Sequence, residues 1–461
     1  MNGIYTVFKT FQNCYLYDAN INKIINITEE LYNNLEKDKI YESSEFKKLK
    51  ELNFFENNKR TMLQKPETDV LKYFYDRKIG NVIFQVTQNC NLRCAYCPYS
   101  QENNLNRNHT NLMMPIEMGK RVMDYILQHS VDRNKISIGF YGGEPLLNFQ
   151  LIKDLVNYAN SIFCGKKLEY SITTNLTVIT KEMLDFCEKN QFDMMISLDG
   201  SKASNDKNRK FYKSDRSTFD VIIQNLKVIA DNYPNIKDKC SISMVMDPSE
   251  TLDEYEFLLK EYPFMKEFKY NSVIKEDLFC DIPNKWNNVF KAEYYYKIFL
   301  CYMREIKKYL FKEELIFFDN SSEVLQENLN SFNLFDMNNY NDNEYVLTSG
   351  MCSLGKNKLF INAQGKFYPC EKVGESNPEF IIGDIESGFY LSKCQTLLNF
   401  TNEFSDHCLN CIAMRDCQMC IKEFAVSGVY NEKSIETCAK YREVFKTHLV
   451  ARATLHEALD L

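Results

Sequence analysis

The sequence has no apolar run of about 20 residues, the length that a membrane-spanning helix needs. Its first residues, Met1 to Phe11, also lack the charged start and apolar core of a secretion signal. An excess of basic residues is missing too: 56 Lys and Arg stand against 63 Asp and Glu, giving a net charge of −7. We therefore expect a cytoplasmic protein with neither a membrane nor a nucleic acid as its partner.

Tandem repeats of fixed period are absent as well, which argues against a solenoid or a propeller. The composition, 44% hydrophobic and 26% charged, is typical of a globular protein. A chain of 461 residues is longer than one ordinary core supports, so two or three domains are expected.

Cysteine is abundant, with 17 residues. A cytoplasmic chain does not use cysteines as a disulfide framework, because that compartment keeps thiols reduced. Ten of them form two groups in the sequence, and short spacing of this kind suits metal ligation. The remaining seven are scattered, and most are expected to be buried packing residues: Cys14, Cys164, Cys187, Cys240, Cys280, Cys301 and Cys394.

Residues 1–75 have the pattern of a small separate domain. Three short segments rich in β-formers, at 4–9, 13–17 and 23–27, are followed by a helix that Thr28 caps and by another that starts at Ser44. Three strands followed by helices is a winged-helix-like pattern.

Residues 80–275 alternate between strands and helices, so the fold class is α/β. Residues 82–86 form an apolar run, as a strand buried on both faces should, and further strands are predicted at 136–141, 168–173, 194–198, 240–246 and 268–273. Six β/α units imply a parallel sheet with right-handed crossovers, a partial (β/α)6 barrel of TIM type. Residues 276–345 are expected to be a partly helical connection, and residues 441–461 a C-terminal helix.

The first cysteine group, Cys90, Cys94 and Cys97, follows the first strand directly. A C-x3-C-x2-C loop can wrap three thiolates around one face of a [4Fe–4S] cluster, which leaves the fourth iron without a protein ligand. A structural zinc site is the alternative, although such sites use four ligands and paired C-x2-C motifs.

Three further segments follow the next strands, where the chemistry of a parallel barrel is placed. They contain Gly142, Gly143 and Glu144 after strand two, Asn175 after strand three, and Ser197 with Asp199 after strand four. Glycines allow the backbone to approach a ligand closely, and the Glu144 carboxylate can accept hydrogen bonds from an ammonium group.

On the cysteine loop with its aromatic Tyr96, and on the Gly-Gly-Glu-Pro segment, residues 80–275 resemble the radical S-adenosylmethionine (SAM) superfamily. The resemblance implies that the three cysteines bind a [4Fe–4S] cluster and that the Gly-Gly-Glu-Pro segment contacts the amino group of SAM. It also implies that Asn175, Ser197 and Asp199 border the cofactor and the substrate.

The second cysteine group resembles the SPASM extension of peptide- and protein-modifying radical enzymes, which carries two auxiliary [4Fe–4S] clusters and is expected over residues 346–440. The resemblance assigns Cys408, Cys411, Cys417 and Cys438 to one cluster and Cys352, Cys370 and Cys420 to the other. The second set has three ligands, so either one iron is open to a substrate thiolate or Cys394, His407 or water completes it. Two zinc sites are the alternative for the whole group.

Glu371 directly follows Cys370, so it is a candidate catalytic base, or simply a salt-bridge partner. The N-terminal domain resembles the leader-peptide recognition domain of ribosomal-peptide maturases. We therefore expect a maturase that acts on a precursor peptide with a leader, takes electrons from a flavodoxin or ferredoxin, and forms cysteine thioethers. The alternatives are a carbon–carbon or carbon–oxygen crosslink, an anaerobic sulfatase maturase, and a non-catalytic zinc or iron–sulfur scaffold.

Overall fold

The structure, a computed structural model, describes the following residues: 4–37, 43–58, 61–100, 107–275, 285–306, 313–318, 345–347, 352–356, 358–415, 417, 419–422 and 432–459. Cys280 and most of the expected connection at 276–345 lie outside the described residues.

The N-terminal region forms a three-stranded antiparallel sheet followed by two helices. The elements are β1 (Tyr5–Lys9), β2 (Cys14–Asp18), β3 (Lys23–Ile27), α1 (Glu29–Glu36) and α2 (Ser44–Glu51), and the strand order is β1-β2-β3. The predicted strands are confirmed, and the predicted cap of the first helix is too, because the Thr28 hydroxyl accepts the Leu31 N–H. The second helix begins at Ser44, as predicted, and is capped by Ser43.

Two short elements, β4 (Met62–Gln64) and α3 (Leu71–Arg77), lead into the main sheet. Its first six strands are β5 (Asn81–Thr87), β6 (Lys135–Gly142), β7 (Lys167–Thr174), β8 (Asp193–Ser197), β9 (Cys240–Met246) and β10 (Lys269–Ile274). Each pairs in parallel with its neighbour in the chain. The helices of this region are α4 (Ile116–Gln128), α5 (Phe149–Ile162), α6 (Lys181–Lys189), α7 (Lys202–Asn208), α8 (Thr218–Asn232), α9 (Pro234–Lys239) and α10 (Asp253–Glu261). The six predicted strands and their parallel arrangement are confirmed.

The sheet continues into the cysteine-rich region. Four short strands extend it: β12 (Leu359–Ile361), β13 (Lys366–Tyr368), β14 (Gly383–Asp384) and β15 (Gly388–Phe389). The whole order is β10-β9-β8-β7-β6-β5-β12-β13-β14-β15, so β5 is paired with β12 rather than with β10 and the sheet is open. Such short strands give no periodic signal in the sequence, so no strand is predicted here from the sequence alone.

The remaining elements are β11 (Tyr345–Leu347), α11 (Asn288–Glu305), α12 (Leu391–Leu398), α13 (Ser405–Leu409) and α14 (Glu432–Leu459), with β11 parallel to β4. The C-terminal helix thus begins nine residues before the expected 441 and includes Cys438. Short 3-10 helices occupy Thr68–Val70, Pro145–Asn148, Pro263–Glu267, Glu313–Phe318, Pro378–Phe380 and Phe400–Phe404.

One large hydrophobic core fills the space between the parallel strands and their helices, and a second core joins the N-terminal sheet to the C-terminal helix. In the second core the Tyr17 ring packs against Phe445, with 5.3 Å between ring centroids. Within the described part of the chain, no helix has the length and apolar character to span a bilayer.

Candidate active site

The first cysteine loop starts at the carboxyl end of β5. Its backbone is fixed by the segment that follows α7: the Arg93 N–H donates to the Lys210 carbonyl over 2.8 Å, and the Ala95 N–H donates to the Asn208 carbonyl over 2.8 Å. These bonds satisfy backbone groups of an otherwise irregular loop. Main-chain hydrogen bonds therefore hold the loop that carries the three thiols against residues 208–210.

The thiols of Cys90, Cys94 and Cys97 are neighbours, because each of the other two acts electrostatically on Cys90. Burial raises the pKa of Cys90 to about 12, and the Glu144 carboxylate adds to this rise. Burial raises the pKa of Cys94 to about 11, against the opposing effect of the Arg209 guanidinium. Metal ligation by such thiols would release protons. Among the described residues, no group of three or more His, Cys, Asp or Glu side chains is arranged to hold a single metal ion, and no disulfide links the cysteines there.

Gly142 and Gly143 lie where two loops touch. A Cβ on Gly142 would lie 2.0 Å from the Thr87 carbonyl oxygen, and one on Gly143 would lie 2.1 Å from the Asn89 carbonyl oxygen and 3.0 Å from the Cys90 Cβ. The Glu144 N–H donates to that same Asn89 carbonyl over 2.8 Å. These two positions must be glycine because the loop after β6 supports the cysteine loop by direct backbone contact.

Gly143→Ala is therefore expected to displace Cys90 and to lower the iron content of the anaerobically reconstituted protein. Gly165→Ala is the control: Gly165 has φ +79°, so the substitution adds backbone strain, but no atom lies within 4 Å of the new Cβ. Iron and sulfide assays compare the two variants. Equal iron content in both would contradict the supporting role of Gly143.

Glu144 is fully buried and connects the ends of two strands. Its Oε1 accepts the Thr174 hydroxyl (2.7 Å) and the Leu146 N–H (3.1 Å), and its Oε2 accepts the Asn175 N–H (2.7 Å). Burial raises the pKa of Glu144 to about 7, and the bond from Asn175 opposes this rise. Oε2 accepts one of these hydrogen bonds and can accept another. Glu144 can therefore make the predicted contact with the amino group of SAM.

Asn175 lies over the cysteine loop. Its Nδ2 donates to the Asn91 Oδ1 over 3.0 Å and lies 3.9 Å from the Cys90 sulfur. The Asn175 Oδ1 accepts the Thr177 N–H over 3.0 Å, which fixes the orientation of the amide. An amide N–H aimed at a ligand sulfur is the kind of outer contact that tunes a metal site.

Asp199 is the centre of a buried charged group that also contains Tyr96 and Arg209. Arg209 was not predicted from the sequence as a site residue. The Tyr96 hydroxyl donates to the Asp199 Oδ2 over 2.5 Å and accepts from the Arg209 Nη1 over 2.7 Å. The other Asp199 oxygen accepts the Val245 N–H over 3.0 Å. Burial raises the pKa of Asp199, and Arg209 opposes that rise. Ser197 lies at the end of β8, two residues before Asp199.

The second cysteine group falls into neighbouring sets. Cys408, Cys417 and Cys438 pack against one small cluster formed by Phe400 and Met419. Cys411 joins this set, because its thiol acts electrostatically on Cys408 and on Cys417.

The other set has three cysteines, Cys352, Cys370 and Cys420, rather than four. The Cys420 thiol acts electrostatically on Cys370, and burial raises the pKa of Cys370 to about 11. Cys352 is exposed. Cys394 is fully buried in the main core with its sulfur 3.5 Å from the Ile382 carbonyl oxygen, while His407 is exposed. Cys394 therefore has the packing role expected of a scattered cysteine.

Glu371 forms an ion pair, since its Oε1 lies 3.0 Å from the Lys358 Nζ. Its side chain is only 11% exposed, and Oε2 is buried without a hydrogen-bond partner. The Tyr99 hydroxyl donates to the Glu371 carbonyl over 3.2 Å. Because Tyr99 is two residues after Cys97 and Glu371 is next to Cys370, this one side chain connects the two cysteine regions.

Known proteins resemble this chain in sequence and in fold. The Radical SAM superfamily is matched over residues 84–261, which include the cysteine loop, the glycine pair, Glu144, Asn175 and Asp199. This chain contains a radical SAM domain. The solved structure of anSMEcpe with bound AdoMet has a similar fold, with a TM-score of 0.55 and 20% identity over 83% of this chain and 98% of that one.

Curated proteins that are similar to this chain match different lengths of it. A cysteine-type anaerobic sulfatase-maturating enzyme of Clostridium novyi is 24% identical over 72% of this chain and 83% of its own length. An uncharacterized protein of Methanocaldococcus jannaschii is 35% identical over 31% of this chain, and the match spans 46% of that protein. The radical SAM cyclopropyl synthase TigE of Paramaledivibacter caminithermalis is 26% identical over 32% of each chain.

A radical SAM domain implies SAM and a [4Fe–4S] cluster, and the side chains here fit both. Three neighbouring thiols on one loop are the donor type that iron–sulfur clusters use. Gly142 and Gly143 allow the loop after β6 to touch the cysteine loop directly, which a side chain at either position would prevent. Arg209, buried and acting on the Cys94 thiol, supplies positive charge that would favour the thiolate form that cluster binding requires.

Arg209 had a signal in the sequence, although a weak one. It directly follows the short helix α7, which begins after the Ser197–Gly200 segment already assigned to the site. A lone arginine at the end of a helix normally faces solvent, and its partner Tyr96 lies 113 residues away. Only the pairing of the 208–212 segment with the cysteine loop brings the two together.

Proposed function

We propose that this protein is a maturase that uses its radical SAM domain to link a cysteine sulfur to a carbon of another residue in a precursor peptide. The observation that carries the proposal is the Tyr99 bridge between the first cysteine loop and the Cys370–Glu371 segment. This hydrogen bond joins the segment after Cys97 to the segment after Cys370, which supports a substrate bound between the two cysteine regions. The names of two relatives, a sulfatase-maturating enzyme and a cyclopropyl synthase, support modification of another polypeptide or of a carbon centre.

The bonds balance as an oxidation. One S–H and one C–H bond break and one S–C bond forms, so the peptide loses two hydrogen atoms. When bound, SAM with its [4Fe–4S] cluster supplies a 5′-deoxyadenosyl radical that takes one hydrogen atom, and auxiliary clusters supply an acceptor for the remaining electron. The remaining proton needs a base.

Glu371 is the proposed base. Its Oε2 is buried and has no partner, while Lys358 holds the other oxygen. A carboxylate fixed in this way beside Cys370 can accept a thiol proton within hydrogen-bond reach.

The second cysteine group is proposed to hold two auxiliary [4Fe–4S] clusters in a SPASM domain. Cys408, Cys411, Cys417 and Cys438 would bind one of them. The other would use the remaining three cysteines, which leaves one iron for a substrate thiolate: Cys352, Cys370 and Cys420.

The N-terminal region is proposed to bind the leader of the precursor peptide. Its sheet has the order β1-β2-β3, so β1 and β3 are edge strands to which an extended peptide can add. Electrons for the first cluster would come from a flavodoxin or ferredoxin.

The test is mass spectrometry of a peptide treated with the reconstituted enzyme, SAM and dithionite without oxygen. The probe is the synthetic peptide of a short, cysteine-rich reading frame beside this protein's gene. We expect a loss of about two mass units per link and the disappearance of one free thiol per link, which a thiol-alkylating reagent reports. An unmodified peptide, with clusters intact and SAM consumed, would overturn the proposal.

Maturation of an anaerobic sulfatase is the second candidate, favoured by the match to the Clostridium novyi enzyme over 72% of this chain. A synthetic sulfatase-type peptide separates the two, because oxidation of its cysteine side chain leaves no crosslink. The N-terminal sheet supports the precursor peptide as substrate.

A further inference from the structure

A buried ion pair lies beside the Tyr99 bridge. The Arg107 Nε and the Glu375 Oε1 are 2.7 Å apart, and their side chains are 7% and 3% exposed. The Arg107 guanidinium carbon lies 3.8 Å from the centroid of the Tyr99 ring, so the pair packs on the residue that joins the two cysteine regions.

Other side chains hold this pair in place. The Gln85 Nε2 donates to the same Glu375 Oε1 over 2.6 Å, and the Gln85 Oε1 accepts from the Gln88 Nε2 over 3.1 Å. Gln85 belongs to β5, and Gln88 is the first residue after that strand. The Glu375 carboxylate is therefore fixed to the strand that leads into the cysteine loop. The pair is a rigid part of the site.

Two polar atoms of this rigid pair are left over. Arg107 Nη2 and Glu375 Oε2 are buried, and neither has a hydrogen-bond partner. An unsatisfied buried group of this kind lowers stability because it has lost its hydrogen bonds to water, and the penalty is larger when the group is charged. Buried polar groups normally have partners, so these atoms need an explanation.

The location of these atoms suggests a ligand. Burial raises the pKa of the nearby Tyr141 hydroxyl at the end of β6, and the Glu371 carboxylate and the Cys97 and Cys370 thiols add to this rise. Arg107 acts on the same hydroxyl in the opposite direction. The pair thus belongs to the polar region between the two cysteine sets, where the proposed function places the substrate.

The chemistry of the pair selects the ligand class. The positive and negative charges compensate one another, so neither a carboxylate nor an ammonium group is favoured. What remains is the NH2 group of Arg107 Nη2 as a donor and Glu375 Oε2 as an acceptor, on the two side chains of one ion pair. We propose that Arg107 and Glu375 bind an amide group of the peptide substrate, with its carbonyl oxygen on Nη2 and its N–H on Oε2. This inference rests on the proposed function and names a specificity element of that site.

The first experiment compares Arg107→Lys and Glu375→Gln with wild type, using the synthetic precursor peptide defined above. Each variant is expected to raise KM for the peptide about tenfold with a smaller change in kcat, since one hydrogen bond contributes about 1–1.5 kcal/mol. The matched controls are Arg121→Lys and Glu386→Gln, which alter an ion pair with side chains 49% and 67% exposed. A KM equal to that of the controls would overturn the inference.

The second experiment is carried out first on the wild-type enzyme, so its main result does not depend on the variants folding. Each backbone amide around the modified cysteine is replaced in turn by an ester, which lacks the N–H, and each Asn or Gln of the peptide is replaced by Asp or Glu. One position is expected to raise KM about tenfold in wild type and to have no further effect in Glu375→Gln. An ester position would identify a backbone amide, and an Asn or Gln position would identify a side-chain amide. No sensitive position would overturn the inference, whereas a wild-type enzyme that leaves the unaltered peptide unmodified would overturn the proposed function instead.

Discussion

Replacing Cys90, Cys94 and Cys97 together with alanine is expected to abolish SAM cleavage and to lower the iron content by about four atoms per chain. The reason is that these thiols are neighbours on one loop, whereas the second cysteine group lies on separate elements. Chromatographic detection of 5′-deoxyadenosine and an iron assay measure the two effects.

Cys164→Ala is the control for this variant, because Cys164 is an exposed, scattered cysteine. It should retain wild-type iron content and wild-type SAM cleavage. If the triple variant kept both properties, the assignment of the first cluster would be wrong.

The second large effect is expected from Arg209→Met. The substitution leaves the buried Asp199 carboxylate and the Tyr96 hydroxyl without their cation, and uncompensated buried charges typically cost about 3–5 kcal/mol of unfolding free energy. Urea unfolding of the protein at pH 8 measures the loss.

The pH dependence of this loss has a definite sign. Burial raises the pKa of Asp199, and removing Arg209 removes an opposing effect. A carboxyl whose pKa is higher in the folded than in the unfolded state binds more protons when folded, so its contribution to stability falls as pH rises above the unfolded pKa of about 4. The deficit of Arg209→Met should therefore be smaller at pH 5 than at pH 8.

Arg121→Met is the matched control, since its ion pair with Glu386 is exposed and screened by solvent. Its unfolding free energy should change far less than that of Arg209→Met, with little difference between pH 5 and pH 8. Equal losses in the two variants would contradict the buried charged group.

The parallel part of the fold was predictable because its signals are local. The apolar run at 82–86 lies within β5, and the strands predicted at 136–141 and 168–173 lie within β6 and β7. A strand buried on both faces is largely apolar, so β5 is visible in the sequence without any knowledge of its partners. The glycine pair and Glu144 were also identifiable from a local signal, the Gly-Gly-Glu-Pro segment that follows strand two.

Long-range pairings could not be predicted. The parallel pairing of β12 with β5 depends on a strand of three residues. The Arg107–Glu375 pair joins residues 268 positions apart, and nothing near either residue indicates the other. Such contacts follow from how the cysteine-rich region packs on the radical SAM domain, which a local pattern does not contain.

The central claim is that Cys90, Cys94 and Cys97 hold a cluster with one iron open to SAM. Electron–nuclear double resonance of the reduced wild-type protein with SAM labelled by 17O in its carboxylate and 15N in its amino group tests this claim directly. We expect hyperfine coupling of both labels to the cluster, which the triple alanine variant lacks. A reduced cluster in the wild type without coupling to either label, or zinc bound by these three thiols, would contradict the account.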